Sequence, residues 1–206
     1  YASLMVNLEL GRSNSELLHV AVDLAERFDA AVIGVASCQP MQVDFGDGYA
    51  LGDLFAADRD AIEHDIELAE AEFRNAFAAR RARVEWRSAT TFEALADYLA
   101  NQARSADLIV TGLAGASTAM RRVDIDDLVL QAGRPVLIVP AAIEAVNLQR
   151  VLVAWNDTRE TRRSGFHGLP LLAFAEQVMV VEIEADSDLG AAILDDVLRL
   201  LQILLI

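Results

Sequence analysis

The chain contains no lysine: all 17 of its basic residues are arginine. That absence removes Schiff-base catalysis and the lysine of a P-loop. It also removes a phosphate-receiving regulator domain, which needs a lysine at its fifth strand. Cysteine is nearly absent too. The single Cys38 permits no internal disulfide and fits a reducing cytoplasm. No base lies near it in the sequence, so it reads as a small buried apolar residue. Positive charge is scarce, with 17 basic against 32 acidic residues and a net charge of −15. This argues against nucleic acid, whose binding rests on neutralising phosphates. No apolar run approaches the roughly 18 residues of a membrane span. No basic segment followed by an apolar stretch opens the sequence, so no signal peptide is expected. The G-x-S-x-G, HExxH and CxxC motifs are absent as well. His19 and His167 have no neighbouring nucleophile, and His64 sits between carboxylates on a polar helix face.

What is present is a chain of 206 residues, 54% hydrophobic and 24% charged, sufficient for a core in one domain or two small ones. The segment 106–140 is the organising stretch. It runs ADLIVTG, a loop with Gly112 and Gly115, DIDDLVLQAG, then RPVLIVP. Two apolar runs, 107–110 and 136–139, are short enough for buried strands, and the helix between them stops at Gly133. A strand that passes through a glycine loop into a helix is where open α/β sheets bind phosphates. Without a ligand, Gly112 and Gly115 would serve a tight turn at positive φ, and Asp124 and Asp157 would serve as helix N-caps.

In order, 4–10 is a first strand, followed by Gly11 and a capping box starting at Ser13 with Glu16. The next helix aligns Leu17, Val20, Ala21, Leu24, Ala25 and Phe28. Residues 30–35 form a second strand, completing a βαβ unit. The segment 39–53 is a Gly- and Asp-rich solvated loop without the order of a calcium loop. A long helix over 57–81 buries Ile62, Ile66, Ala69, Phe73 and Phe77. Residues 83–88 alternate as an edge strand. Thr90-Thr91-Phe92-Glu93 can then cap a helix whose apolar face is Phe92, Leu95, Ala96, Leu99, Ala100 and Ala103. The strand at 107 follows. Residues 1–140 thus read as a complete doubly wound α/β domain.

Residues 141–149 read as a linker. The pattern then restarts: a strand at 150–157, a helix at 158–173, a strand at 177–184 and a helix at 191–201. This is the beginning of a second copy in 150–206. It lacks a third strand, a glycine loop and a fifth strand. A half-domain would expose its sheet, so a cut chain or missing segments are expected.

The stretches ADLIVTGLAG at 106–115, LVLQAGRPVLIVP at 128–140 and VLVAWNDTRETRR at 151–163 resemble the universal stress proteins in their tandem form. The resemblance implies an adenine-nucleotide alpha-hydrolase-like fold, a five-stranded parallel sheet of order 3-2-1-4-5, with part of a second similar domain. It implies a cytoplasmic stress-response protein acting by ligand binding or association, with at most weak nucleotide hydrolysis. It further implies self-association through the Val136–Val139 strand, between chains or between tandem domains.

Nucleotide-binding members of that family use an Asp at the end of the first strand. They also use a loop of Gly, two residues, Gly, nine residues, then Gly and Ser or Thr. Gly112 and Gly115 match the first two places, and Ser117 lies in the same loop. Where the family has its last Gly and hydroxyl, this chain has Ile125 and Asp126. The first-strand Asp is represented by Glu9 or is absent, in the segment beginning at Asn7. Asp124, Asp126 and Asp127 add negative charge, while Arg121 and Arg122 could reach back to a phosphate. The expected ligand is therefore none or ATP, in a cleft between 7–11 and 112–117. The alternatives are an ATP-binding sensor whose site lies in the second domain, around Asp157, and a non-binding oligomeric interaction module.

Overall fold

The computed structural model describes residues 1–42, 51–113, 122–143, 145–156 and 158–182. The chain divides into two compact units, Tyr1–Val146 and the part from Asn147 onward.

The first unit runs β1 (Ser3–Leu8), α1 (Ser15–Phe28), β2 (Ala31–Cys38), α2 (Leu51–Phe77), β3 (Val84–Thr90), α3 (Leu95–Gln102), β4 (Leu108–Gly112), α4 (Ile125–Ala132) and β5 (Val136–Val139). The five strands are parallel and ordered β3-β2-β1-β4-β5. β1 and β2 are mostly apolar and buried on successive residues because helices cover the sheet on both faces. β3 lies at one edge, and all of its residues are exposed or half-buried without the strict alternation expected.

On one face Met5, Ile33, Val35 and Ile109 pack with Leu99 of α3 and Leu128 of α4. On the other, α2 presses Phe73 against the sheet. Phe73 is fully buried, 5.6 Å from the Trp86 ring and 5.2 Å from Phe77. Gly34 makes this contact possible: a Cβ there would lie 2.8 Å from Trp86 Cε3 and 2.9 Å from Phe73 Cε2.

Several local expectations need correction. The capping box at Ser13 does not form. α1 starts at Ser15 behind Asn14, whose side chain does not cap the helix. Instead both carboxylate oxygens of Glu72, on α2, accept the Asn14 N–H at 3.0 Å, and Ser13 Oγ donates to the same group at 2.8 Å. A carboxylate arriving from another element satisfies this helix start, and spacing along α1 cannot reveal it. Phe92 is 75% exposed, because α3 begins only at Leu95 and no turn of helix carries Phe92 inward. Ile66 is half-buried within an otherwise buried α2 stripe. Most of the Gly- and Asp-rich loop lies outside the described residues.

α4 follows expectation. The Asp124 side chain caps its start, and Gly133 ends it in the left-handed conformation at φ 58°.

In the second unit, β6 (Arg150–Trp155) and β7 (Gln177–Glu182) pair in parallel around α5 (Arg159–Leu172). Trp155 and Leu172 centre a small core with Val151, Val153, Val178 and Val180. The alternate positions Leu152, Met179 and Val181 are exposed. Thr158 Oγ1 accepts the Thr161 N–H and caps α5. No described helix is long and apolar enough to cross a membrane.

Candidate functional site

The strand order reverses at β1 and β4, so the crevice beyond their carboxyl ends is where this architecture places ligands. Period-2 alternation delivers the floor of that crevice. On the α3/α4 face each central strand carries apolar side chains and then ends on a polar one: Met5 then Asn7, Val35 then Ser37, Ile109 then Thr111. All three polar residues are buried. Asn7 and Thr111 face each other in register across β1 and β4, and Asn7 Nδ2 donates to Thr111 Oγ1 at 3.1 Å. One of the two Asn7 side-chain N–H donors is thus spent inside the sheet. Ser37 Oγ is buried with no hydrogen-bond partner among the described residues, an uncommon state for such a group.

Glu9 stands at the mouth. Its Oε2 accepts from Arg12 at 3.2 Å, and its Oε1 lies 3.5 Å from where a Cβ on Gly112 would be. Asn14 clamps the backbone beneath it. The Glu9 N–H donates to Asn14 Oδ1, and Asn14 Nδ2 donates to the Glu9 carbonyl, both at 2.9 Å.

Asn7, Glu9 and Gly112 border one cavity, and Gly112 is not the turn residue the sequence suggested. It is the last residue of β4, paired with Val139 of β5. Among the described glycines only Gly11 and Gly133 have positive φ, so Gly112 is a strand residue rather than a left-handed turn. Gly115, Ser117, Asp157 and Arg121 lie outside the described residues.

Two small cavities flank Glu9. One, of about 30 Å³, is bounded by Glu9, Arg12, Asn14, Gly112 and Pro140. The other, of about 20 Å³, is bounded by Asn7, Ser37, Thr111, Gly112 and Arg122. Such volumes suit single waters and fall far below the roughly 300–1,000 Å³ of small-molecule pockets.

At the α4 edge of the crevice, Asp124 Oδ1 accepts the N–H groups of Asp126 at 3.0 Å and Asp127 at 3.2 Å. The N-cap reading of Asp124 therefore holds. Ser37, Thr111, Asn14 and Glu72 were not legible as site residues. Strand alternation carried a usable signal for Ser37 and Thr111. Nothing local marks Glu72, which acts 58 residues away from its partner.

No family model and no curated protein matches the chain. Solved structures do. A universal stress protein from Archaeoglobus fulgidus DSM 4304 superposes with a TM-score of 0.67 at 12% identity, covering 96% of this chain and 72% of that one. The universal stress protein UspA from Lactobacillus plantarum superposes with a TM-score of 0.54 at 19% identity, over 68% of this chain and 97% of that one. The putative universal stress protein from Pseudomonas aeruginosa UCBPP-PA14 gives 0.52 at 18% identity, over 96% of this chain and 66% of that one. The chain has the fold of the universal stress proteins.

Proposed function

We propose that this chain is a stress-response protein of the universal stress protein type that works by association and ligand binding rather than by turnover. The observation that carries this reading is the β5 edge. β5 is an outer strand of the five-stranded sheet, with Ile138 39% exposed. The preceding helix adds Val129 and Leu130 at 50% and 81% exposure. An open strand edge with exposed apolar residues is a template for pairing with another strand. The floor between β1 and β4 supports a binding role over a catalytic one. Its polar groups are the uncharged Asn7, Ser37 and Thr111, with Glu9 tied to Arg12.

The test is the mass of the particle in solution. Sedimentation of the whole chain should give a dimer that Ile138→Lys converts to monomer without loss of helical signal. A wild-type monomer up to the highest soluble concentration would defeat the association reading.

A further inference from the structure

In a doubly wound sheet, a ligand phosphate is held by free N–H groups at a helix start beside the strand ends and by close approach of the backbone. The described residues do not fit a nucleotide phosphate. At α4 the first-turn N–H groups of Asp126 and Asp127 already bind the Asp124 carboxylate. Asp126 and Asp127 bring two more acids to the same turn. At α1 the Asn14 N–H and the Ser13 hydroxyl are taken by Glu72. Between these helix starts Glu9 extends over Gly112, the place where a glycine would otherwise let a ligand come close. Its own arginine, Arg12, is held in an ion pair. Among the described residues Arg12 and Arg122 border the crevice, against the carboxylates of Glu9, Asp124, Asp126 and Asp127.

We infer that the chain's own carboxylates occupy the anion positions of this crevice and exclude nucleotide phosphates from it. The inference rests on reading the crevice as the binding face of a universal stress protein-type fold; the association part of the proposed function is tested separately, by sedimentation. Its consequence is a preference by charge. An anion entering the crevice must displace Asp124 from two N–H groups and approach Glu9, and like charges so close repel.

The experiment is an ¹⁵N-amide NMR titration of the full chain, read at Gly112, Asp126 and Asp127, with inorganic phosphate, AMP and ATP–magnesium against matched sodium chloride. The wild type should show no saturable shift at these amides with any of the three. Asp124→Gly frees the two N–H groups, and inorganic phosphate should then shift Asp126 and Asp127 saturably. It should also raise the thermal midpoint of that variant by about 2 °C or more at saturating concentration. If Asp124→Gly is too unstable to study, Asp124→Ala removes the same acceptor from both N–H groups and is read the same way.

Saturable wild-type shifts at these amides with AMP or ATP would overturn the inference while leaving a binding protein. A silent wild type with a silent variant would overturn it as well, because the carboxylate would not be what keeps the anion out. A thermal response without shifts at these three amides places the nucleotide elsewhere and leaves the inference standing.

Discussion

At the scale of single residues, two glycines make opposite demands. Gly34 has Trp86 and Phe73 carbons within 3.0 Å of its missing Cβ. Gly34→Ala must therefore push apart a ring pair that fills the α2 face, and is expected to cost about 1–3 kcal/mol by urea denaturation. Gly112 meets only Glu9 Oε1, at the ordinary contact distance of 3.5 Å. Its φ lies outside the left-handed region, so Gly112→Ala should change stability by less than about 0.5 kcal/mol in the same assay. Asp107 gives a pH-dependent case. Burial pushes its pKa up, but the Ala2 and Ser3 N–H groups and the Ser3 hydroxyl outweigh this and hold it below the usual carboxylate value. A depressed folded pKa means stability that is present above about pH 3.9, the ordinary Asp value, and lost as pH falls through the folded value. Asp107→Asn should lower stability near neutrality by about 1 kcal/mol. It should also flatten the acid limb of the stability profile, as followed by chemical denaturation at several pH values.

At the scale of elements, α1 depends on a residue it does not contain. Glu72→Ala strips the acceptor from Asn14 N–H and Ser13 Oγ, and should cost about 1–2 kcal/mol, in the range of a lost N-cap. A double-mutant cycle with Ser13→Ala should return a coupling between the two sites, and strict additivity would deny the link. The same element marks the limit of what the sequence discloses. α4 was legible at both ends because its cap and stop, Asp124 and Gly133, are local. The order of strands and helices was legible because β1, β2 and β4 are short, mostly apolar runs that are buried almost throughout. The start of α1 was misread because its acceptor arrives from α2, and α3 was begun early because Phe92 fits a helical period that the backbone does not yet follow. Glu9 and Asn7 could be named only through the resemblance, as the segment where the family carries its first-strand Asp. The Asn7–Thr111 bond depends on register between strands about a hundred residues apart, which no local pattern encodes; the Asn14 clamp is made to Glu9 only five residues away, and the role of Gly112 is set by its pairing with Val139 of β5.

At the scale of the whole molecule, the first unit holds a complete sheet with helices on both faces. A fragment ending at Val146 is therefore expected to fold alone, with a cooperative thermal transition and native circular dichroism. A non-cooperative melt would show that it borrows stability from the remainder. The net charge of −15 sets another expectation. Self-repulsion weakens the compact state, so raising sodium chloride from low to physiological ionic strength should raise the thermal midpoint as screening sets in.

The seam between β1 and β4 carries a further consequence, for the order in which the chain is made. β1 can pair with β2 as soon as residue 38 has emerged, but its other edge waits for β4, and Asn7 and Thr111 are 104 residues apart in the chain. Contacts so distant in sequence form late, because the intervening loop must close first. While the chain is being synthesised, the central strand therefore stands with one edge paired and the other bare. During that interval a polar Asn7 at its tip, in place of another apolar side chain, leaves the growing end of the strand less adhesive to other nascent chains.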